Sequence, residues 1–198
     1  MTDHKRSWAH NLEEKMESIV ENFKENRQSS KLMHGYFFFV DIIGLSDPDM
    51  SAKTQIKKLQ ILKQCIVRTS SFKRTSRKNM LIDQHGDGMS ITFFQGPQIP
   101  LRLAIELQAE LKKYNKGRLA PDTENVRIGL NSGICYVISD LNNNKTTWGP
   151  GIILAKRVMD FGDKNHILLT SSLAESLREI SDEYKKIIKR VHDFKIEN

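Results

Sequence analysis

Residues 35–48 read GYFFFVDIIGLSDP, an acid set directly behind Tyr36, Phe37, Phe38, Phe39 and Val40, which are all aromatic or β-branched. No polar residue interrupts the run to mark a solvent side, so it predicts a strand, Tyr36 to Asp41, buried on both faces. Asp41 at its end has two readings. An Asp after a strand commonly caps a turn. Alternatively, the strand delivers a carboxylate to the edge of a buried sheet, and a partner acid elsewhere in the chain distinguishes the two.

Working outward, WAHNLEEKMESIVENFKEN (8–26) carries apolar residues at helical spacing, and RQSSKLMHG (27–35) reads as a linker. This sets a helix and linker over 1–34 apart from a folded domain over 35–198. After the first strand, Ser51 is a helix start signal ahead of an amphipathic run through Ile56, Leu59, Leu62 and Ile66, the helical stretch reaching about Phe72. MLIDQHGDGMSITFF (80–94) predicts two strands around a Gly-Asp-Gly turn, and PLRLAIELQAELKKYNKG (100–117) an amphipathic helix. VRIGLNSGICYVISDL (126–141) predicts a hairpin pair. GPGIILAKRVMDFGDK (149–164) predicts a turn entering a helix, and HILLTSSLAESLREI (166–180) a strand followed by a helix. This order argues an α+β sheet domain flanked by helices.

Composition excludes several classes. At 198 residues and 38% hydrophobic the chain buries one substantial core. No apolar run approaches the ~18–20 residues that span a bilayer, and MTDHKRSWAHNLEEK lacks a signal-peptide core, so a cytoplasmic protein without membrane insertion is expected. Cys65 and Cys135 supply neither metal spacing nor a disulfide framework and read as core or half-buried thiols. The net charge of +7 suits a polyanion, nucleic acid or nucleoside triphosphate. KRTSRK (73–78) and KKIIKR (185–190) hold much of that charge and read as solvated faces, and no nucleic-acid-binding signature accompanies them.

A second acid changes the reading of the first. Asp87 lies between Gly86 and Gly88 at the tip of the predicted hairpin, where alone it would be an ordinary Asp-Gly turn. Two carboxylates at the ends of adjacent central strands suit a pair of divalent cations bound to a triphosphate. Mg²⁺ takes only one or two protein carboxylates and draws its other oxygens from phosphate and water.

FFFVDIIGLS (37–46), HGDGMSITFF (85–94), VRIGLNSGICYVI (126–138) and WGPGIILAKRVMD (148–160) together resemble the class III nucleotidyl cyclase catalytic domain, the adenylate and guanylate cyclase family. The likeness runs from about Gly35 to Leu177. In DIIGLSDP and GDGM the wording is most similar to the bacterial pyrimidine cyclases of anti-phage defence. The resemblance implies a ferredoxin-like, palm-type sheet rich in antiparallel pairs, with the N-terminal helix as an addition and the catalytic domain over 35–198. It implies that Asp41, Asp87 and the Ile42 carbonyl hold two divalent cations, Mg²⁺ or Mn²⁺. It places backbone N–H groups of Gly44, Leu45 and Ser46 around the β and γ phosphates, and makes Arg157 the catalytic arginine, supplied from the partner subunit of a homodimer with composite sites.

The departures from the family concern the base. Asp83 stands where adenylate cyclases have a base-reading lysine and guanylate cyclases a glutamate, Thr146 replaces a purine-reading aspartate, and Ile153 an asparagine. The C-terminal Lys-Gly segment that meets the triphosphate is missing, with Lys195 as a substitute candidate. Neither purine code is present, and an aspartate at position 83 accepts from cytosine N4 or uracil N3. The expected function is therefore conversion of UTP or CTP to a 3′,5′-cyclic nucleotide messenger sensed by a separate effector protein. A purine cyclase and a catalytically silent nucleotide-binding module stay open. A diguanylate cyclase does not fit, since its Gly-Gly-Asp/Glu-Glu-Phe signature is absent.

Overall fold

Strand β1 (Lys31–Ile42) contains the apolar run and is the middle of the sheet, antiparallel to β3 (Gly88–Phe93) on one side and to β4 (Val126–Ser139) on the other. The structure is a computed structural model and describes residues 14–18 and 30–191. Outside β3 lies β2 (Met80–His85), outside β4 lies β5 (Lys145–Trp148), and β6 (Ile167–Leu169) pairs in parallel with β4. The helices are α1 (Ala52–Arg68), α2 (Ser70–Arg74), α3 (Ile99–Asn115), α4 (Pro150–Asp160), α5 (Ser171–Ile180) and α6 (Asp182–Ile187). No helix among the described residues is long and apolar enough to cross a membrane.

Period-two alternation explains why the β1 run is apolar throughout. Phe38, Val40 and Ile42 point into the larger core with Leu62 of α1, Leu107 of α3 and Leu173 of α5. Phe37 and Phe39 point the other way, onto Ile152, Ala155 and Met159 of α4 and onto Cys135. Each such side chain contributes about 1.5–3 kcal/mol on burial, so both faces have to be covered. Helix α4 lies so close to β4 that a Cβ on Gly129 would collide with the Ala155 carbonyl oxygen. Cys65 and Cys135 are both free and buried, as core thiols.

Four expectations need correction. The linker over 27–35 gives way at Lys31, because residues 31–35 pair with the far end of β4. The hairpin over 126–141 is one continuous 14-residue strand: Asn131 and Gly133 stay in register with Phe37 and Gly35, and the Asn131 amide donates to the Gly151 carbonyl. The chain reverses later, at Asp140, whose carboxylate accepts from the Asn142 and Asn144 amides. The helix expected to reach Phe72 is broken at Thr69, whose hydroxyl donates to the Ile66 carbonyl and accepts from the Phe72 amide. Ile56 is exposed, and the buried stripe of α1 runs instead through Lys58, Leu62, Cys65 and Ile66. Ser51 caps α1 as expected, accepting from the Thr54 amide. Residues 14–18 are helical and exposed; the rest of the expected helix over 8–26, and Lys195, lie outside the described residues.

Candidate active site

The two acids converge because the strands that carry them are neighbours. Asp41 is opposite Gly88 in the β1–β3 register, and the Ile42 amide donates to the Asp87 carbonyl across 3.2 Å, tying the end of β1 to the hairpin tip. Asp87 is exposed on that tip. Asp41 is 6% exposed.

On the other flank Arg127, opposite Asp41 in the β1–β4 register, donates from Nε (3.0 Å) and Nη2 (2.8 Å) to Asp41 Oδ2. Its Nη2 also lies 3.5 Å from Asp160 of α4, which in turn pairs with Lys156. The guanidinium thus occupies one carboxylate oxygen and leaves the other, Oδ1, buried and without a hydrogen-bond partner. Burial pushes the Asp41 carboxyl above the ordinary carboxylate range, Arg127 pulls it back, and nearby Asp87 pushes it up again. A buried, partnerless oxygen beside a second carboxylate is a site short of positive charge, and a divalent cation would neutralise both acids.

The residues present fit such a cation. No cluster of three His, Cys, Asp or Glu capable of holding a metal occurs among the described residues, so two carboxylates would leave most coordination positions to the Ile42 carbonyl, phosphate and water. That carbonyl receives the Leu45 amide at 3.3 Å and retains a second lone pair.

The turn after β1 completes the cradle. Gly44 has φ +76°, open to glycine and strained for other residues. Leu45 is buried, and its carbonyl accepts from Gln55 of α1. Ser46 Oγ donates to Asp87 Oδ2 over 3.1 Å. The N–H groups of Gly44 and Ser46 have no hydrogen-bond partner among the described residues, whereas the Leu45 N–H is spent within the turn. Arg157 is exposed on α4 and pairs with no described residue.

Asp83 lies opposite Ser90 in the β2–β3 register, half-buried, with Oδ2 partnerless. It shares its sheet face with Ser90 and Thr92, and the Thr92 hydroxyl bonds Thr147 Oγ1 at 2.8 Å. Alternation along β5 turns Thr146 away from that pair, so Thr147, not Thr146, lies on the Asp83 face. Asp83 and Thr146 are not joined by a hydrogen bond.

Arg127, Asp160 and His85 were not singled out from the sequence. Arg127 stands inside the quoted motif VRIGLNSG, yet only the strand register shows that it meets Asp41. Burial holds the His85 imidazole below its ordinary range, with Asp83 pulling the other way.

No family model and no curated protein matches the chain. Solved structures do. The adenylate/guanylate cyclase/hydrolase of Silicibacter pomeroyi is similar with TM-score 0.61 and 18% identity, over 78% of this chain and 85% of that one. A guanylyl cyclase domain of the RhoGC fusion protein of the aquatic fungus Blastocladiella emersonii is similar with TM-score 0.59 and 20% identity, over 76% and 87%. The guanylate cyclase domain of RhGC from Catenaria anguillulae, solved with GTP, is similar with TM-score 0.58 and 21% identity, over 75% and 84%. The chain has the α+β fold of adenylate and guanylate cyclase catalytic domains, an antiparallel-rich sheet flanked by helices. At these identities the likeness establishes the fold.

Proposed function

We propose that the chain is a nucleotidyl cyclase that converts UTP or CTP to the 3′,5′-cyclic nucleotide and pyrophosphate. The observation that carries the reading is the buried, partnerless Oδ1 of Asp41 beside Asp87, next to a turn whose Gly44 and Ser46 N–H groups are open. Asp41, Asp87 and the Ile42 carbonyl would hold two divalent cations, Mg²⁺ or Mn²⁺, which when bound supply charge neutralisation and acidify the 3′ hydroxyl. The turn over residues 44–46 receives the β and γ phosphates on the open N–H groups of Gly44 and Ser46, the Leu45 N–H being held by the Ile42 carbonyl. Arg127 keeps Asp41 oriented from the side opposite the hairpin. The 3′ oxygen bonds to the α phosphorus as the bond from that phosphorus to the bridging oxygen breaks. Pyrophosphate leaves, and the 3′ proton passes to water or a phosphate oxygen. The chain's own contribution is positioning and charge complementarity, as phosphoryl transfer demands.

Arg157, exposed and paired with no described residue, acts on the substrate held by a partner chain, giving a homodimer with two composite sites. The pyrimidine preference is supported by Asp83, which stands at the base-reading position in place of the lysine or glutamate of the purine cyclases. The cyclic product serves as a messenger, in anti-phage signalling, for a separate effector.

The test is to incubate the purified chain with each of the four NTPs and Mn²⁺ and identify products by mass spectrometry. Cyclic UMP or cyclic CMP is expected, and Asp41→Ala or Asp87→Ala should lower turnover at least ~100-fold, about 2.7 kcal/mol in the barrier. Cyclic AMP or GMP as the main product would overturn the base assignment, and no cyclic product would leave a silent nucleotide-binding module.

A further inference from the structure

His85 stands between the base-reading position and the hairpin acid, two residues from each along one edge of the sheet. In β2, residues two apart share a face and lie about 7 Å apart, so His85 and Asp83 project on the same side, the side covered by α4. The ring is laid flat over Phe39, with centroids 5.0 Å apart and planes inclined by 21°. Its Nε2 meets Ser90 Oγ at 2.9 Å, and Ser90 is buried. A stack on one side and a hydrogen bond at one edge hold the imidazole in a single orientation. The other ring nitrogen, Nδ1, has no hydrogen-bond partner among the described residues, although the residue is exposed.

Two adjacent side chains on this face therefore each present one unused polar atom, Asp83 Oδ2 and His85 Nδ1. A carboxylate such as that of Asp83 offers acceptors only. When the Ser90 hydroxyl donates to Nε2, the neutral ring carries its proton on Nδ1 and is a donor. An acceptor beside a donor complements the N3–H and O4 edge of uracil and the N4–H₂ and N3 edge of cytosine, and in the same way the Watson–Crick edge of a purine, so the pair binds a base edge without by itself choosing the base.

We propose that His85 is a base-binding residue, hydrogen-bonding the nucleotide base through Nδ1 alongside Asp83. The inference rests on the cyclase reading above, in which Asp83 meets the base. Ser90 is then a positioning residue that fixes the Nε2 edge of the ring, and Phe39 is the platform that keeps the ring flat.

The test is steady-state kinetics with UTP, CTP, ATP and GTP in Mn²⁺, together with calorimetric binding of UTP and CTP, for wild type, Asp83→Ala, His85→Ala and His85→Asn. His85→Ala should raise KM for the preferred pyrimidine triphosphate about tenfold with kcat within about threefold, as expected for losing one hydrogen bond to the base. Its binding should weaken by a similar factor. His85→Asn, which keeps a donor, should recover part of the loss. The exposed ring makes the fold tolerant of these changes, and an unchanged urea midpoint checks that. Unaltered KM and binding in His85→Ala, or a loss confined to kcat, would show that the ring only shields Phe39 and would overturn the proposal. Failure of the cyclase reading is separately visible: wild type then yields no cyclic nucleotide, and Asp83→Ala binds pyrimidine triphosphates as wild type does.

Discussion

Asp41 has one carboxylate oxygen held by Arg127 and one left over, and that division governs how it would bind a cation. Removing the guanidinium loosens the carboxylate and takes away the charge that offsets its burial, so the acid is pushed further up and competes less well for a metal. Arg127→Ala should therefore raise the Mn²⁺ concentration for half-maximal activity by about 10–100-fold, the usual cost of losing the residue that orients a ligand. A Mn²⁺ titration of activity at saturating substrate checks this. An unchanged midpoint would mean that Arg127 serves the sheet alone. Ser46 plays the corresponding part for Asp87, through a single hydroxyl bond on an exposed loop, and its removal should matter less.

Among the elements, the junction of α1 with the start of β4 supports the turn that follows β1. Lys58 Nζ donates to the Thr123 carbonyl at 2.8 Å and lies 3.4 Å from Glu124 Oε2, both side chains being buried. Asn115 of α3 brackets Glu124 from its other side, donating to the Glu124 carbonyl and accepting from its amide. The next residue, Asn125, accepts the Ile43 amide, which links this junction to the turn that follows β1. Burial pushes the Glu124 carboxyl above its ordinary range although Lys58 pulls it down. A carboxyl raised by folding stabilises the native state fully below its unfolded value, and that contribution is lost as pH rises through the raised value. Lys58→Met leaves the acid without its counter-charge and shifts it further up. The variant should lose about 3–5 kcal/mol at pH 8, the usual cost of stranding a buried charge, and less at pH 5. Urea unfolding at the two pH values measures the difference, and an equal loss at both would contradict it.

At the scale of the whole molecule, β1 and β4 run beyond the larger core, and the exposed side of this extension carries Leu32, Ile134, Tyr136 and Trp148. An apolar face of this kind marks an interaction surface. It agrees with the composite-site proposal, in which Asp41 and Arg157 serve the same reaction from different chains. Mixing inactive Asp41→Ala with inactive Arg157→Ala should restore up to about one quarter of wild-type activity, since half of the randomly mixed dimers carry one intact site of two. No recovery after demonstrated subunit exchange would show that Arg157 works within its own chain or not at all.

Near neighbours along the chain decide the features that could be read from the residues. The apolar run of β1, the turn at Gly86 and Asp87, the Ser51 cap and the helix over Ile99–Asn115 depend on residues a few positions apart, and each was legible. So was the pairing of Asp41 with Asp87, through motifs in a family order. Which residues stand across the sheet from one another follows only from the folded chain. Arg127 reaches Asp41 from 86 positions away, and no local pattern encodes that meeting. The continuity of β4 through Asn131 and Gly133 was equally hidden, because a turn-like composition yields to twelve residues of pairing with β1. Side chains alternate at every residue, so register decides which of two neighbours faces a site: it turns Thr147 rather than Thr146 toward the Asp83 face and sets His85 beside Asp83.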